Sequence, residues 1–537
     1  MHLESVPLGV KIFVFWLLAL GVWLIAYSQQ PTVRSPIIVK THEREGYKDI
    51  EIQTALTNYL FSTKGGVLKS VYLHFAPFGW QPLELIPDMA TDPKTLSRSF
   101  LEDAAFPLTL SLESLNEKAS YEFEIIQTDQ PKKLVLSFRK KLNGLTVEKL
   151  FTIYNDPYYA IDVELSLKNN TDSPKILEDG FHMTLGNGVG AASQGEVRYL
   201  FDGKRSAVIP EAYSRFDGLG FVSRDLVLFL KNESLEIRPF VKTEEAAGPQ
   251  PKRIFGVKAE KIVLAAGEMK NFRFSLYAGR HKYLLLEHAG LAKIENLSFY
   301  NQLLVPVIRS LDWLYVKTRN YGWAIIIFTL ITRIVLFPLM RKQFYSMAKM
   351  HQLRDKIEKL QQRYPNLLKL RQLHPKMSES ELRQRARENQ KAMHQKLMEL
   401  YKKEGINPLS GCLPMLIQFP ILIILWRAIM YSAERIHLSP GFLWMPDLSL
   451  SDPYYIIVIL TVIFMVLQSK FTPTPTATGL QGQLLVWGMP IFMGILLKDF
   501  PAGLWLYYFL TTAFQVLQQL FINWEMSRKA PKSETAS

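Results

Sequence analysis

Cysteine is almost missing from this chain. A single one, Cys412, occurs in 537 residues, so an intramolecular disulfide is excluded and no cysteine metal cluster can be built. Acidic and histidine side chains are missing from the longest apolar runs, where proton-coupled transport would usually need them. No small-x-small cleavage site follows the apolar run IFVFWLLALGVWLIAYS, which continues into QQPTVRSP. The run therefore reads as a retained anchor over 1–28 rather than a removed leader. No internal repeat stands out, which speaks against a two-halved transporter. His182, Glu211 and Asp217 lack triad or metal spacing, and Asn187-Gly188-Val189-Gly190 lacks the dinucleotide fingerprint. No catalytic centre is legible, and neither a cofactor nor a metal is expected.

What is present is apolar length. Runs at 12–28, 320–338, 409–431, 454–468, 484–498 and 501–522 have the reach of membrane-crossing helices. The second carries Arg333, and a charge at such depth is costly unless it faces protein or water. Thr329 lies four residues earlier on the same helical face, with Thr332 beside it. Gln418 sits between Pro414 and Pro420, Gln468 closes the fourth run, and the last run carries Tyr507, Tyr508, Thr511, Thr512, Gln515, Gln518 and Gln519. That polar stripe needs a protein or water neighbour. An arginine without an acidic partner in a wet pocket would attract acidic groups on a visiting chain. The plainer reading is snorkelling, since Arg341 lies only about two turns away.

The formal charge of +14 is uneven: residues 341–408 hold 17 Lys or Arg against 7 Asp or Glu. Such a segment could bind RNA, but its place between two apolar runs makes positive-inside topology the stronger account. With 341–408 cytoplasmic, the alternation gives six spans with both termini inside.

Residues 29–46 read as a polar linker. From 47 to 280 short alternating runs such as VLKSVYLHF, LTVEKLFTIY, YAIDVELSL and FRFSLYAG, punctuated by Gly-Gly and Asn-Gly, predict an all-β sandwich outside the membrane. Residues 281–318 read as an interfacial amphipathic helix broken near Pro306. The second span is expected over 319–341. Residues 342–408 form a cytoplasmic hairpin, whose first helix ends near Tyr364-Pro365 and whose second opens on a Ser378/Glu381 capping box. The remaining spans fall at 409–431, 454–468, 484–498 and 501–522. Between them lie an outer loop at 432–453 and an inner loop at 469–483, and a cytoplasmic tail follows at 523–537.

NYGWAIIIFTLITRIVLFPL at 320–339, MAKM at 347–350, YKKEGINPLSGCLPMLIQFPI at 401–421, DLSLSDPYYI at 447–456 and FPAGLWLYYFLTTAFQVLQQ at 500–519 together resemble the YidC family of membrane protein insertases. The resemblance spans nearly the whole chain. It implies a polytopic α-helical membrane protein with six transmembrane helices, five of them forming the core, plus a periplasmic β sandwich and a cytoplasmic hairpin. It also implies a hydrophilic groove open to lipid and cytoplasm, with Arg333 as its arginine and Gln418 and Tyr508 as partners. Thr329, Thr332 and Gln515 are further groove candidates. The partners implied are nascent membrane-protein clients, membrane lipids, the ribosome, the Sec translocon and signal-recognition machinery, with no DNA. The chain departs from the pattern in a Lys/Arg-rich insert around 366–390 and in Arg427 near the outer end of its helix. A transporter, a translocon-dependent folding chaperone and a glycan-active β domain remain the competing readings.

Overall fold

The computed structural model describes residues 36–87, 89–91, 98–100, 106–112, 115, 119–129, 132–190, 195–244, 252–295, 299–405, 413–471 and 484–529. The expected anchor at 1–28, Cys412, and nearly all of the inner loop and the end of the tail lie outside these residues. The chain divides into two units, 31–305 and 306–537 with 1–30.

The first unit is built on antiparallel β-sheet. Its largest sheet has nine strands, in spatial order Lys204–Ser206, Glu196–Phe201, Phe216–Val222, Leu226–Asn232, Met269–Arg280, Ala160–Asn169, Leu145–Tyr154, Lys133–Leu142 and Glu122–Asp129. Leu145–Tyr154 shows why the alternating pattern encodes a strand: every second residue is buried, as one-sided packing requires. A five-stranded meander over Ile38–Arg44, Tyr47–Gln53, Thr57–Ser62, Val67–Leu73 and Leu83–Glu84 faces it. Phe61 of the meander meets Phe138 and Phe151 of the large sheet, with ring centroids 6.0 and 5.0 Å away. A four-stranded sheet of Ile237–Glu244, Lys252–Ala259, Phe181–Gly186 and Leu110–Ser111 adds Phe181, which packs edge-on against Phe272 at 5.0 Å.

Two expectations are corrected here. Strand Ile38–Arg44 occupies much of the stretch read as a 29–46 linker, pairing along its length with Tyr47–Gln53. Its side chains are mostly exposed, so backbone bonds define it and no apolar alternation announces it. The 281–318 segment is not one helix broken at Pro306. Helix α1, Tyr283–His288, stops at Gly290, whose φ of +72° sets a left-handed cap. The Leu291 amide reaches back to Leu286 and the Gly290 amide to Glu287, the Schellman pattern. Leu284, Leu285 and Leu286 are buried, so that part of the stripe serves the β unit. Helix α2, Phe299–Thr318, then runs through Pro306.

The second unit is helical. Helix α3, Tyr321–Gln352, runs past the expected span and into the hairpin. Three hairpin helices follow: α4 (Arg354–Arg363), α5 (Leu367–Leu373) and α6 (Glu379–Lys403). The Ser378/Glu381 capping box opens α6, and Leu353, Ile357, Leu397 and Tyr401 cluster to close the hairpin. The short α5 is a third helix where the pattern predicts two. It is capped by Asn366 and sits in the Lys/Arg-rich insert. Next come α7 (Leu413–Tyr431), α8 (Ala433–His437), α9 (Ile456–Phe471), α10 (Met489–Leu497, preceded by a π turn at Leu484–Gly488) and α11 (Ala502–Lys529). Tyr321–Pro338 is the one window among the described residues long and apolar enough to cross a bilayer. Gln418–Tyr431, Ile456–Ser469 and Val486–Leu497 are shorter apolar helices. Helix α11 is central to the unit, packing on α9, α3 and α7.

Candidate functional site

Arg333 stands three turns into α3 and is only 5% exposed. Its Nη2 donates to Gln418 Oε1 on α7 at 2.6 Å. Gln418 Nε2 in turn donates to the hydroxyl of Tyr507 on α11 at 3.0 Å. Three helices are thus joined by one chain of hydrogen bonds, which starts at a cation and ends at a neutral phenol. Charged donors make the stronger kind of hydrogen bond, yet a neutral amide carries no counter-charge, and among the described residues no carboxylate pairs with the guanidinium. The arrangement holds a positive charge in place without cancelling it.

The other sequence-selected residues occupy distinct positions. Thr329 is fully buried, and its hydroxyl bonds back to the Ile325 carbonyl at 2.6 Å. Thr332 bonds to the Thr329 carbonyl at 2.8 Å. Both use their hydroxyls within α3, as threonines do in apolar helices. Gln515 accepts from Gln468 Nε2 at 2.8 Å, tying α11 to α9. The hydroxyl that joins the arginine chain belongs to Tyr507, which is 1% exposed. Tyr508 is half-buried beside Trp505, ring centroids 6.2 Å apart. The two adjacent tyrosines are indistinguishable by residue type, and only the phase of α11 separates them.

The polar stripe on α11 turns into the protein. Thr511, Thr512, Gln515 and Gln519 are all buried. Gln519 Nε2 donates to Asn523 at 3.0 Å, while the side-chain oxygens of Thr511, Gln518 and Gln519 find no hydrogen-bond partner among the described residues. Buried polar atoms of this kind cost about 1–3 kcal/mol each when unpaired, so a site that keeps several of them is suited to a polar visitor or water. Around the middle of α3, Ile331, Ile334 and Val335 are exposed, an apolar face beside the polar one. Among the described residues no group of three or more His, Cys, Asp or Glu is placed to hold a metal.

Apolar helices enclosing a cation and a row of uncharged hydrogen-bonding groups define a membrane protein with an internal polar site, in a chain that also carries a β-sheet unit. Comparison with known proteins gives that class a family. Residues 313–369 and 366–529 match the family model described as "60Kd inner membrane protein". A "Membrane protein insertase YidC" of Wolinella succinogenes is 30% identical over 406 residues, covering 73% of this chain and 68% of its own. One of Syntrophus aciditrophicus is 28% identical over 526 residues, covering 92% of this chain and 88% of its own. A solved structure described as "Active YidC insertase crystal structure with the first transmembrane domain resolved" aligns over 95% of this chain and 99% of its own, at 21% identity and a TM-score of 0.49. The chain belongs to the YidC family of inner-membrane protein insertases.

Proposed function

We propose that this chain inserts client proteins by receiving their short polar flanks at the site centred on Arg333, Gln418 and Tyr507. The observation that carries the reading is the buried guanidinium held by a neutral amide rather than by a carboxylate. A client's apolar segment enters lipid with a gain of roughly 25 cal/mol per Å² of apolar area. The obstacle is the polar flank, and a hydrated notch part-way across the bilayer shortens its path through hydrocarbon. Arg333 attracts acidic flanks electrostatically, and the apolar segment leaves toward lipid past α7 and α9. No covalent step is needed.

The reading takes six spans with both termini cytoplasmic, the hairpin of α4 to α6 in the cytoplasm and the β unit in the periplasm. The 17-to-7 excess of basic residues over 341–408 supports that orientation. Nascent membrane proteins are the clients, delivered by the ribosome with signal-recognition machinery or by the Sec translocon.

The test is reconstitution of the whole chain into liposomes with a small single-span client and protease protection as readout. Protection of the client's flank in the absence of any other protein is the expected result. Its absence, with both units folded, would favour a chaperone that receives helices from a translocon.

A further inference from the structure

The surroundings of α3 change sharply along its length. Near its middle it turns bare apolar residues outward, with Ile334 73% and Val335 71% exposed. Its outer end sits in a socket. Arg319 adopts a left-handed φ of +56°, a conformation rare for a residue with a side chain, and turns the chain tightly from α2 into α3. Asn320 caps the new helix through the Gly322 amide at 2.8 Å and donates to the Gly441 carbonyl at 2.9 Å. Gly322 lies so close to Phe442 that a Cβ there would stand 2.2 Å from its ring. Tyr321 stacks on Tyr315 at 4.3 Å and is 1% exposed.

At the centre of this socket is Asp312, the one acidic residue of α2. It accepts from the Tyr321 hydroxyl at 2.9 Å through one oxygen and from Arg435 of α8 through the other. Both ionic side chains are mostly buried, at 22% and 15% exposure. A buried ion pair gives little net stability over an apolar contact, because both charges lose their water. What it supplies is geometry, because leaving either partner alone is expensive. Asp312 is thus the acidic group through which α2 holds both α3 and α8.

We infer that Asp312 is a positioning residue: through Tyr321 and Arg435 it fixes the outer end of α3, and with it the depth at which Arg333 stands about 18 Å further along the helix. The inference rests on the groove reading above. It makes α3 a helix clamped at one end, so that the Arg333 contact to Gln418 forms at a set height rather than sliding along the bilayer normal.

The test uses the whole chain in liposomes with two single-span clients that differ only in an acidic or an uncharged flank. Asp312→Arg should lower the ratio of acidic-flank to neutral-flank insertion several-fold, with the neutral client little changed. Asp312→Asn, which keeps an oxygen to accept from Tyr321 and Arg435 and removes only the counter-charge, should lower it less. The exchange Asp312→Arg with Arg435→Asp should restore the ratio. A cysteine introduced by Ile334→Cys, in a Cys412→Ser background, reports depth by its alkylation rate. That rate should shift in Asp312→Arg and return in the exchange. An unchanged ratio and rate, or an equal loss for both clients that the exchange does not rescue, overturns the inference and leaves Asp312 a structural contact. If the unaltered chain inserts neither client, the groove reading itself falls, and the inference with it.

Discussion

The Arg333 guanidinium and the Gln418 amide stand 2.6 Å apart, one on α3 and the other on α7. This contact orders the arginine while leaving its charge intact. A carboxylate at the same place would hold it more tightly and abolish its field.

That distinction gives a first prediction. Gln418→Glu should pair with Arg333 and selectively depress insertion of acidic-flank clients. Gln418→Leu removes the acceptor, leaves a buried cation worse solvated, and should depress all clients. Flank-resolved protease protection in liposomes separates the two patterns.

A second prediction concerns the tyrosines. Tyr507→Phe deletes the hydroxyl that accepts from Gln418 and should weaken insertion by roughly the effect of one hydrogen bond, about 1 kcal/mol or fivefold. Tyr508→Phe should have the smaller effect. Initial insertion rates of the two variants, measured side by side, check the order.

What the chain made legible follows the physics of each signal. Alternation in Leu145–Tyr154 and the apolar run at Tyr321–Pro338 are statements about one-sided burial and length, which composition carries directly. Arg333 was legible because a cation in an apolar run is anomalous by itself. Tyr507 was not separable from Tyr508, since helix phase depends on packing. Strand Ile38–Arg44 is not legible because its order comes from backbone pairing, to which side-chain patterns are blind. The break falls at the left-handed Gly290 and not at Pro306, which α2 carries in its interior. Asp312 and Arg435 lie 123 residues apart, and no local pattern joins them.

In the β unit His281 is held on both ring nitrogens, by the Ser223 carbonyl at 2.6 Å and by Glu295 at 2.8 Å. Burial pushes its pKa down, but the adjoining Glu295 carboxylate outweighs this and raises it above 6.5. For Glu295, burial pushes upward and His281 with Arg198 bring it below 4.5. The histidine's contribution is complete below 6.5 and is lost as pH rises through its raised pKa. The carboxylate's is present above 4.5 and is lost as pH falls through its lowered one. His281→Gln should therefore lower the melting temperature of the β unit most between pH 4.5 and 6.5. A loss that is uniform from pH 4 to 9 would contradict the assignment.

Lys149 sits on the core face between Val147 and Phe151, its Nζ donating to the carbonyls of Gly65, Gly66 and Leu108 at 2.9, 3.0 and 2.7 Å. Burial pushes its pKa down to about 7. Because the unfolded chain keeps this proton up to its ordinary 10.5, stability should rise with pH between those values. Lys149→Met should flatten that rise. It also strands three carbonyls, for a loss of about 3 kcal/mol. Thermal melts of the whole chain in detergent, followed across pH 6 to 11, measure both effects.

The central claim is that Arg333 acts as an uncompensated charge on client flanks. Its most direct measurement is insertion by Arg333→Ala, Arg333→Lys and the unaltered chain, in liposomes, of clients whose flanks carry zero, one, two or three acidic residues. The account predicts that Arg333→Ala loses progressively more with each acidic residue, while Arg333→Lys keeps the trend at reduced rate because it lacks the planar fork that meets Gln418. Equal loss for every flank, or none, would contradict it.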